Sequence, residues 1–350
     1  MGEQKRRVAY GLRRRAPSSS LGASLVLALL LATVTALCPS LGASRAAMAK
    51  PQSEARRAVT PTLPATRSTA PISSMRPQAL ARALAAQAKR PLARRIDFWS
   101  AAFLGTPYFA AQEEDSESQV SPADRARGVH RLELGWVDCE SFVEKVMALS
   151  LGRSLEEVSD HLRRIRFHEG VPGTTRRHFT VVKGWLAHNE AAGYLRDLTR
   201  GIGGSATRTL EKDLAPTPLW RPYYLRRFFS LGVRAPLGTA RIDHIPLGAF
   251  PTSGRGGLLG RLPHGAVMHV VSAPHERSPY LVTHVGFVIK TPWGPVLRHA
   301  SRSPRRRRVE DRPLGPYLVY AGRTPAGPEM RTGLGVHLSE LLSPSARPSP

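Results

Sequence analysis

Apolar positions follow a helical period in the first half of the folded region and a strand period in the second. Phe142, Val143, Val146, Met147 and Leu149 share one face of a 3.6-residue repeat, which predicts a buried helix opening near Cys139. Ser154-Leu155-Glu156-Glu157 has the form of a capping box, where a hydroxyl and a carboxylate satisfy free N–H groups of a first turn. It predicts a second helix running to about Arg166. A third is expected over about His178 to Asn189, with Val181, Val182, Trp185 and Leu186 on its apolar side. Upstream, Ile96 to Ala111 carries Phe98, Trp99, Phe103, Leu104, Tyr108 and Phe109. There the fold is expected to begin, as a short helix broken by Gly105-Thr106-Pro107. Glu113 to Ser118 reads as a solvated acidic loop.

Residues 200–262 are punctuated by Gly201 to Gly204, Pro216, Pro218, Pro222 and Gly254 to Gly260. They read as loop-rich, with short helices near Leu210 and over Tyr223 to Phe229. The period then becomes extended. Ala266 to Val271, Tyr280 to Lys290, Val296 to Ala300 and Tyr317 to Tyr320 are strand candidates, with Pro292-Trp293-Gly294 turning between the middle two. Helices first and an antiparallel sheet afterwards is the layout of an α+β fold. No repeat of solenoid or propeller length is present.

The N-terminus departs from this pattern. Lys5 to Arg7 and Arg13 to Arg15 precede an apolar run, Leu21 to Leu37, followed by small residues. That is the layout of a secretory signal, with Ala47-Met48-Ala49 or Leu41-Gly42-Ala43 as cleavage sites. An uncleaved membrane anchor is the alternative, the run being short for a span. Cys38 is a candidate lipidation site, although Leu37 stands where a small residue is wanted. Residues 50–92 are rich in Pro, Ser, Thr, Ala and Arg and read as a disordered linker. The domains expected are therefore 1–49 signal or anchor, 50–92 linker, 93–341 folded domain and 342–350 disordered tail.

The 350 residues carry a formal charge of +25 and two cysteines. Residues 1–49 hold seven basic and one acidic side chain, so the charge without them is about +19. The basic excess is scattered, with its densest run at Arg305 to Arg308. No zinc-finger spacing, aromatic-interleaved sheet motif or basic zipper accompanies it, so nucleic acid is not the expected partner. An exported basic protein instead meets anionic envelope polymers or lipid head groups.

After cleavage one cysteine, Cys139, remains, and a lone thiol cannot form an internal disulfide. At the first turn of a helix, free N–H groups and the helix dipole favour its thiolate. The alternative is a small buried hydrophobe. A nucleophilic thiol needs a base, and the base a partner that orients it. His284 lies inside the apolar run Leu281 to Ile289, and His299 ends the next candidate strand. A hairpin between the two strands brings the histidines close enough for His299 to fix the tautomer of His284; histidines buried for packing alone are the alternative. Arg176 and Arg177 are candidates for clamping a substrate carboxylate, or are simply solvated. His178 and Trp136 are candidates for lining the cleft. His284, His299 and His269 are conceivable zinc ligands. Without a His-Glu-x-x-His helix or a second cysteine in the domain, neither metal nor cofactor is expected. The Gly254 to Gly260 run lacks the Gly-Lys-Ser/Thr ending of a phosphate loop.

Six segments, in order, resemble one family: Phe103-Leu104-Gly105-Thr106-Pro107-Tyr108, Asp138-Cys139 with Phe142-Val143-Glu144, Ile165-Arg166, Arg177-His178-Phe179, Thr283-His284-Val285-Gly286 and His299-Ala300-Ser301. They are similar to the bacterial N-acetylmuramoyl-L-alanine amidase-like domains, relatives of the NlpC-type cell-wall cysteine peptidases, over about residues 96–322. The resemblance implies a papain-like core with Cys139 as nucleophile, His284 as base and His299 as third member. It also implies that Tyr108 lies near the nucleophile, where its hydroxyl donates to an oxyanion. Where family members tend to carry an Asp-Gly-Asp-like turn, this chain has Pro263-His264-Gly265, and residues 113–131 and 200–262 diverge. The function expected is an exported cysteine hydrolase that cuts a peptidoglycan amide bond. The alternative is an idle basic protein of the same fold that holds envelope polymer.

Overall fold

The first helix begins ahead of the aromatic segment. In the computed structural model, helices α1 (Pro77–Gln87) and α2 (Leu92–Ala102) each start at a proline, Pro77 at the first helical position and Pro91 at the cap, where a missing N–H leaves nothing unsatisfied. Leu80 and Leu84 of α1 are buried in the same core as Trp99 of α2. The described part of the expected linker is therefore helical: an Ala/Arg/Gln-rich sequence hides a two-leucine stripe. Residues 71–109, 132–171, 181–214, 238–250, 257–274, 280–323 and 333–344 are described. All fall in one of two compact units, Leu63–Pro350. The expected signal, the acidic loop, Arg176, Arg177, His178, Tyr223 to Phe229 and most of the tail lie outside the described residues.

Helix α3 (Cys139–Leu151) starts at a reciprocal cap. Asp138 accepts from the Ser141 N–H at 2.7 Å, and the Ser141 hydroxyl accepts from the Asp138 N–H at 2.9 Å. Everything from Ser141 to Leu151 is buried. Ser154 caps α4 (Leu155–Arg166), and the Glu157 carboxylate reaches the Arg153 N–H rather than that of Ser154. Arg166 and Glu144, both fully buried, pair at 2.8 Å and tie α4 to α3. The third expected helix is a π-turn, Val181–Leu186, running into α5 (Ala187–Ala191). Three more follow: α6 (Thr199–Gly203), α7 (Gly257–Arg261) and α8 (Leu314–Arg323). Among the described residues, no helix is long and apolar enough to cross a membrane.

The strands are β1 (Leu195–Asp197), β2 (Arg208–Asp213), β3 (Thr239–Pro246), β4 (Val267–Ser272), β5 (Val282–Thr291), β6 (Gly294–Ala300), β7 (Val309–Pro313) and β8 (Gly333–Leu341). They form an antiparallel sheet in the order β2-β3-β8-β4-β5-β6-β7, with β1 also on β8. The fold is α+β, as expected, with three corrections. Leu210 lies in a strand, opposite Ile242, not in a helix. Tyr317 to Tyr320 belong to α8, not to a strand: Leu314, Tyr317 and Leu318 are buried at helical spacing, which so short a run did not distinguish. The central strand β8 was not anticipated, because His337 and Ser339 interrupt its apolar run.

Strand alternation divides the core. Val285, Phe287 and Ile289 face the cluster built on Trp99, Phe142 and Val146, whereas Val288, Leu297 and Leu338 face the one holding Leu314 and Leu318 of α8. Phe142 packs edge-on against Phe287, which seats α3 on β5. Fully buried Arg298 of β6 forks onto Asp311 of β7 at 2.7 and 2.8 Å and reaches Asp97 and Ser100 of α2, fixing β6 in place.

Candidate active site

Strands β5 and β6 pair from Thr291 opposite Gly294 to Phe287 opposite Arg298, and then part. Beyond that point β5 continues against β4, and β6 against β7. The result is a fork with His284 on one arm and His299 on the other. Nε2 of His284 lies 2.7 Å from Nδ1 of His299, with the rings nearly perpendicular. Gly286 stands where the arms diverge. A Cβ there would lie 2.7 Å from the Arg298 carbonyl oxygen and 2.9 Å from Cβ of His299, so only glycine permits this approach. Tyr317 of α8 closes the second side, its ring centroid 5.4 Å from that of His299.

Cys139, the first residue of α3, reaches the fork from the other face. Its thiol lies near the backbone N–H of Val285, the residue after His284. Tyr108 is brought in by chain pairing: its N–H donates to the Arg307 carbonyl at 2.8 Å, and it bridges to Val137, two residues before Cys139. Cys139, His284, His299 and Tyr108 therefore share one place. Trp136 lies at its rim, half-buried, with its ring below Lys145 Nζ and Phe109 edge-on to it. His269 pairs opposite Val285 and so points to the other face from His284, and the three imidazoles do not converge.

The charge states follow from burial. Burial raises the Cys139 thiol, Asp138 and Glu140 raise it further, and the Val285 N–H and Arg302 oppose them without prevailing. The expected favouring of the thiolate is thus reversed: burial first, and then the carboxylates on either side, keep the proton on the sulfur. Burial, and then Arg302, push His284 down to about 4. Burial first, and then His284, Arg312 and Arg306, hold His299 well below the usual imidazole range. Burial, Cys139 and Asp138 raise Tyr108, which keeps its proton and remains a donor. A neutral thiol, a neutral imidazole with one nitrogen held by a second imidazole, and a protonated phenol can carry out base-assisted thiol attack on a carbonyl.

Sequence reasoning missed Gly286 and Tyr317. A glycine inside a β-branched run was the available signal for the first, and Tyr317 was hidden by the strand assignment.

The family model described as N-acetylmuramoyl-L-alanine amidase-like (AmiA-like) matches residues 98–322. Among solved structures, a protein of Legionella pneumophila str. Philadelphia 1 superposes with a TM-score of 0.60 at 20% identity, over 76% of this chain and 94% of its own. An N-acetylmuramoyl-L-alanine amidase of Bacteroides uniformis ATCC 8492 gives 0.52 at 18%, over 71% and 98%. A Bacteroides fragilis protein put forward as a xylanase gives 0.50 at 18%, over 70% and 100%. At these identities the likeness is one of fold, and the differing names show that fold does not select the chemistry. No curated protein matches the chain.

Proposed function

This chain belongs to the N-acetylmuramoyl-L-alanine amidase-like family, and on that premise we propose that it is an exported cysteine amidase with a papain-like, NlpC-type core. Its substrate is a peptidoglycan amide bond, at the lactyl–alanine junction or within the stem peptide. The observation that carries this reading is the fork: a 2.7 Å contact between His284 and His299, with the Cys139 thiol near the Val285 N–H.

The reaction starts from neutral partners. The Cys139 sulfur attacks the amide carbonyl carbon as its proton passes to His284. The oxyanion accepts hydrogen bonds from the Cys139 backbone N–H, at the positive end of α3, and from the Tyr108 hydroxyl. The His284 imidazolium protonates the departing amine, leaving a thioester on Cys139. Water, deprotonated by His284, then hydrolyses the thioester and restores the thiol. Base catalysis of this kind is worth roughly 10²–10⁴ in rate. Trp136 lines the acyl side, and Arg177 and His178 are kept as substrate contacts. Residues 1–49 act as signal or anchor, and the basic surface, with the run Arg305 to Arg308, draws the enzyme to anionic wall polymer.

The test is digestion of peptidoglycan, read by mass spectrometry. Wild type should release fragments with a new amine terminus, and Cys139→Ala, equally stable, should release none. Substantial turnover by Cys139→Ala rejects the scheme. The competing idea, an idle basic protein holding polymer, predicts polymer binding with no fragments released by wild type.

A further inference from the structure

We propose that Glu310 is a positioning residue for this site. Acting through His299, it sets which nitrogen of His284 carries the proton. The proposal rests on the cysteine-amidase reading.

The β6–β7 register puts Glu310 directly opposite His299. Its Oε1 lies 3.9 Å from Nε2 of His299. Both atoms are buried, and neither has a hydrogen-bond partner among the described residues. The other carboxylate oxygen, Oε2, accepts from Arg306 Nη1 at 3.0 Å. An acceptor and a potential N–H donor thus face each other without another claim on either. An ionised carboxylate can only accept. Nε2 of His299 therefore carries its proton, and the neutral ring presents a lone pair at Nδ1. That lone pair meets Nε2 of His284 at 2.7 Å, so Nε2 of His284 is the donor. The remaining lone pair of His284 then sits on Nδ1, the nitrogen not held by His299 and the one that takes the thiol proton. The opposite assignment would aim two lone pairs at each other between Glu310 and His299.

Glu310 acts a second time when His284 becomes charged. His299 is faced by Arg306, Arg312 and the His284 ring, His284 is faced by Arg302, and the Tyr317 ring packs beside both. Asp138 and Glu140 bear on Cys139, not on the imidazole pair. Glu310 is thus the carboxylate aligned with the relay, and the imidazolium forms at the far end of that line.

The test uses the full chain and needs no substrate. Iodoacetamide alkylation of Cys139 is followed from pH 5 to 9, alongside nitrogen-15 NMR of the histidine rings. In wild type, His284 should be the Nε2–H tautomer at neutral pH. Glu310→Gln should slow alkylation about tenfold at pH 7 and move the rise in its pH profile upward. Glu310→Asp, which keeps the charge, should recover part of the loss. Arg306→Gln, which breaks only the outer ion pair, should stay within about twofold of wild type. An Nδ1–H tautomer in wild type overturns the proposal. So does a folded Glu310→Gln with wild-type alkylation, or an Arg306→Gln as slow as Glu310→Gln. If wild type releases no fragments from peptidoglycan, it is the amidase reading that fails.

Discussion

His284 and His299 meet across β5 and β6, while His269 and His337 stand opposite each other across β4 and β8. Both pairs are largely enclosed, and burial lowers the proton affinity of all four rings. Their surroundings differ. His337 is held from three directions, by the Asp243 carbonyl, the Thr199 hydroxyl and Ser339. His269 lies under Trp185, close to the His337 backbone, and its ring closes no hydrogen bond of good geometry. Around it the ladder is unbroken, with Val285 on one side and His337 on the other. Around His284 the ladder opens, and a cysteine enters the opening. On the reading proposed above, a buried histidine pair serves as a relay where a sheet parts, because there one nitrogen faces a thiol instead of more protein.

The sharpest way to break this contrast is to remove one ring from each pair. His284→Ala should leave the fold intact and lower both turnover and Cys139 alkylation at pH 7 by roughly 10²–10⁴. His269→Leu should leave both unchanged. Its stability should be neutral or slightly higher, since replacing an unpaired buried polar group by an apolar one removes a desolvation penalty. Turnover lost in a folded His269→Leu would put the second pair into the chemistry and dissolve the distinction.

A pair of glycines tests the geometry itself. Gly286 lets His299 approach at the fork, and Gly335 of β8 lets His244 approach, a Cβ there lying 2.4 Å from His244 Cδ2 and 2.6 Å from the Ile245 carbonyl oxygen. Alanine at either position meets backbone oxygen and should destabilise by about 1–3 kcal/mol, seen in urea denaturation. Only Gly286→Ala should also reduce turnover, by about tenfold or more, because it pushes His299 from His284. Equal turnover in the two variants would mean that the fork tolerates widening.

Local signals carried much of this arrangement. The cap at Asp138, the apolar face of α3, the Ser154 cap and strands β4 to β6 are written in neighbouring residues. The hairpin that brings His284 beside His299 was legible in the same way. What stayed hidden is set by distant pairing. The parting of β5 from β6 depends on β4 and β7 claiming their outer edges, and no local pattern states it. Tyr108 was placed through resemblance; the structure holds it through Arg307 and Val137. Helix α1 was hidden by an Ala/Arg composition typical of spacers, and β8 by polar residues that bury through partners far along the chain. The carboxylate across from His299 became visible only with the β6–β7 register.

The smallest effect expected is one that both pairs share, and it separates stability from chemistry. His269 is fully buried, and its proton affinity in the folded chain lies well below that of an ordinary histidine. Once unfolded it titrates near 6.5. Below that pH the unfolded chain binds a proton that the folded chain refuses, so stability is complete above about pH 7 and falls as the medium is acidified, by up to about 1.4 kcal/mol per pH unit. His284 adds a loss of the same sign, confined between about 6.5 and its folded value of about 4, and weaker because the fork is partly open to water. Urea midpoints at pH 7.5 and 5 should therefore move closer together in His269→Leu than in wild type, and by less in His284→Ala. The two variants would then resemble each other in acid tolerance while standing roughly 10²–10⁴ apart in turnover. If His269→Leu keeps the wild-type acid slope, its ring is not the sealed, uncharged group that the contrast requires, and the two histidine pairs differ by less than their surroundings imply.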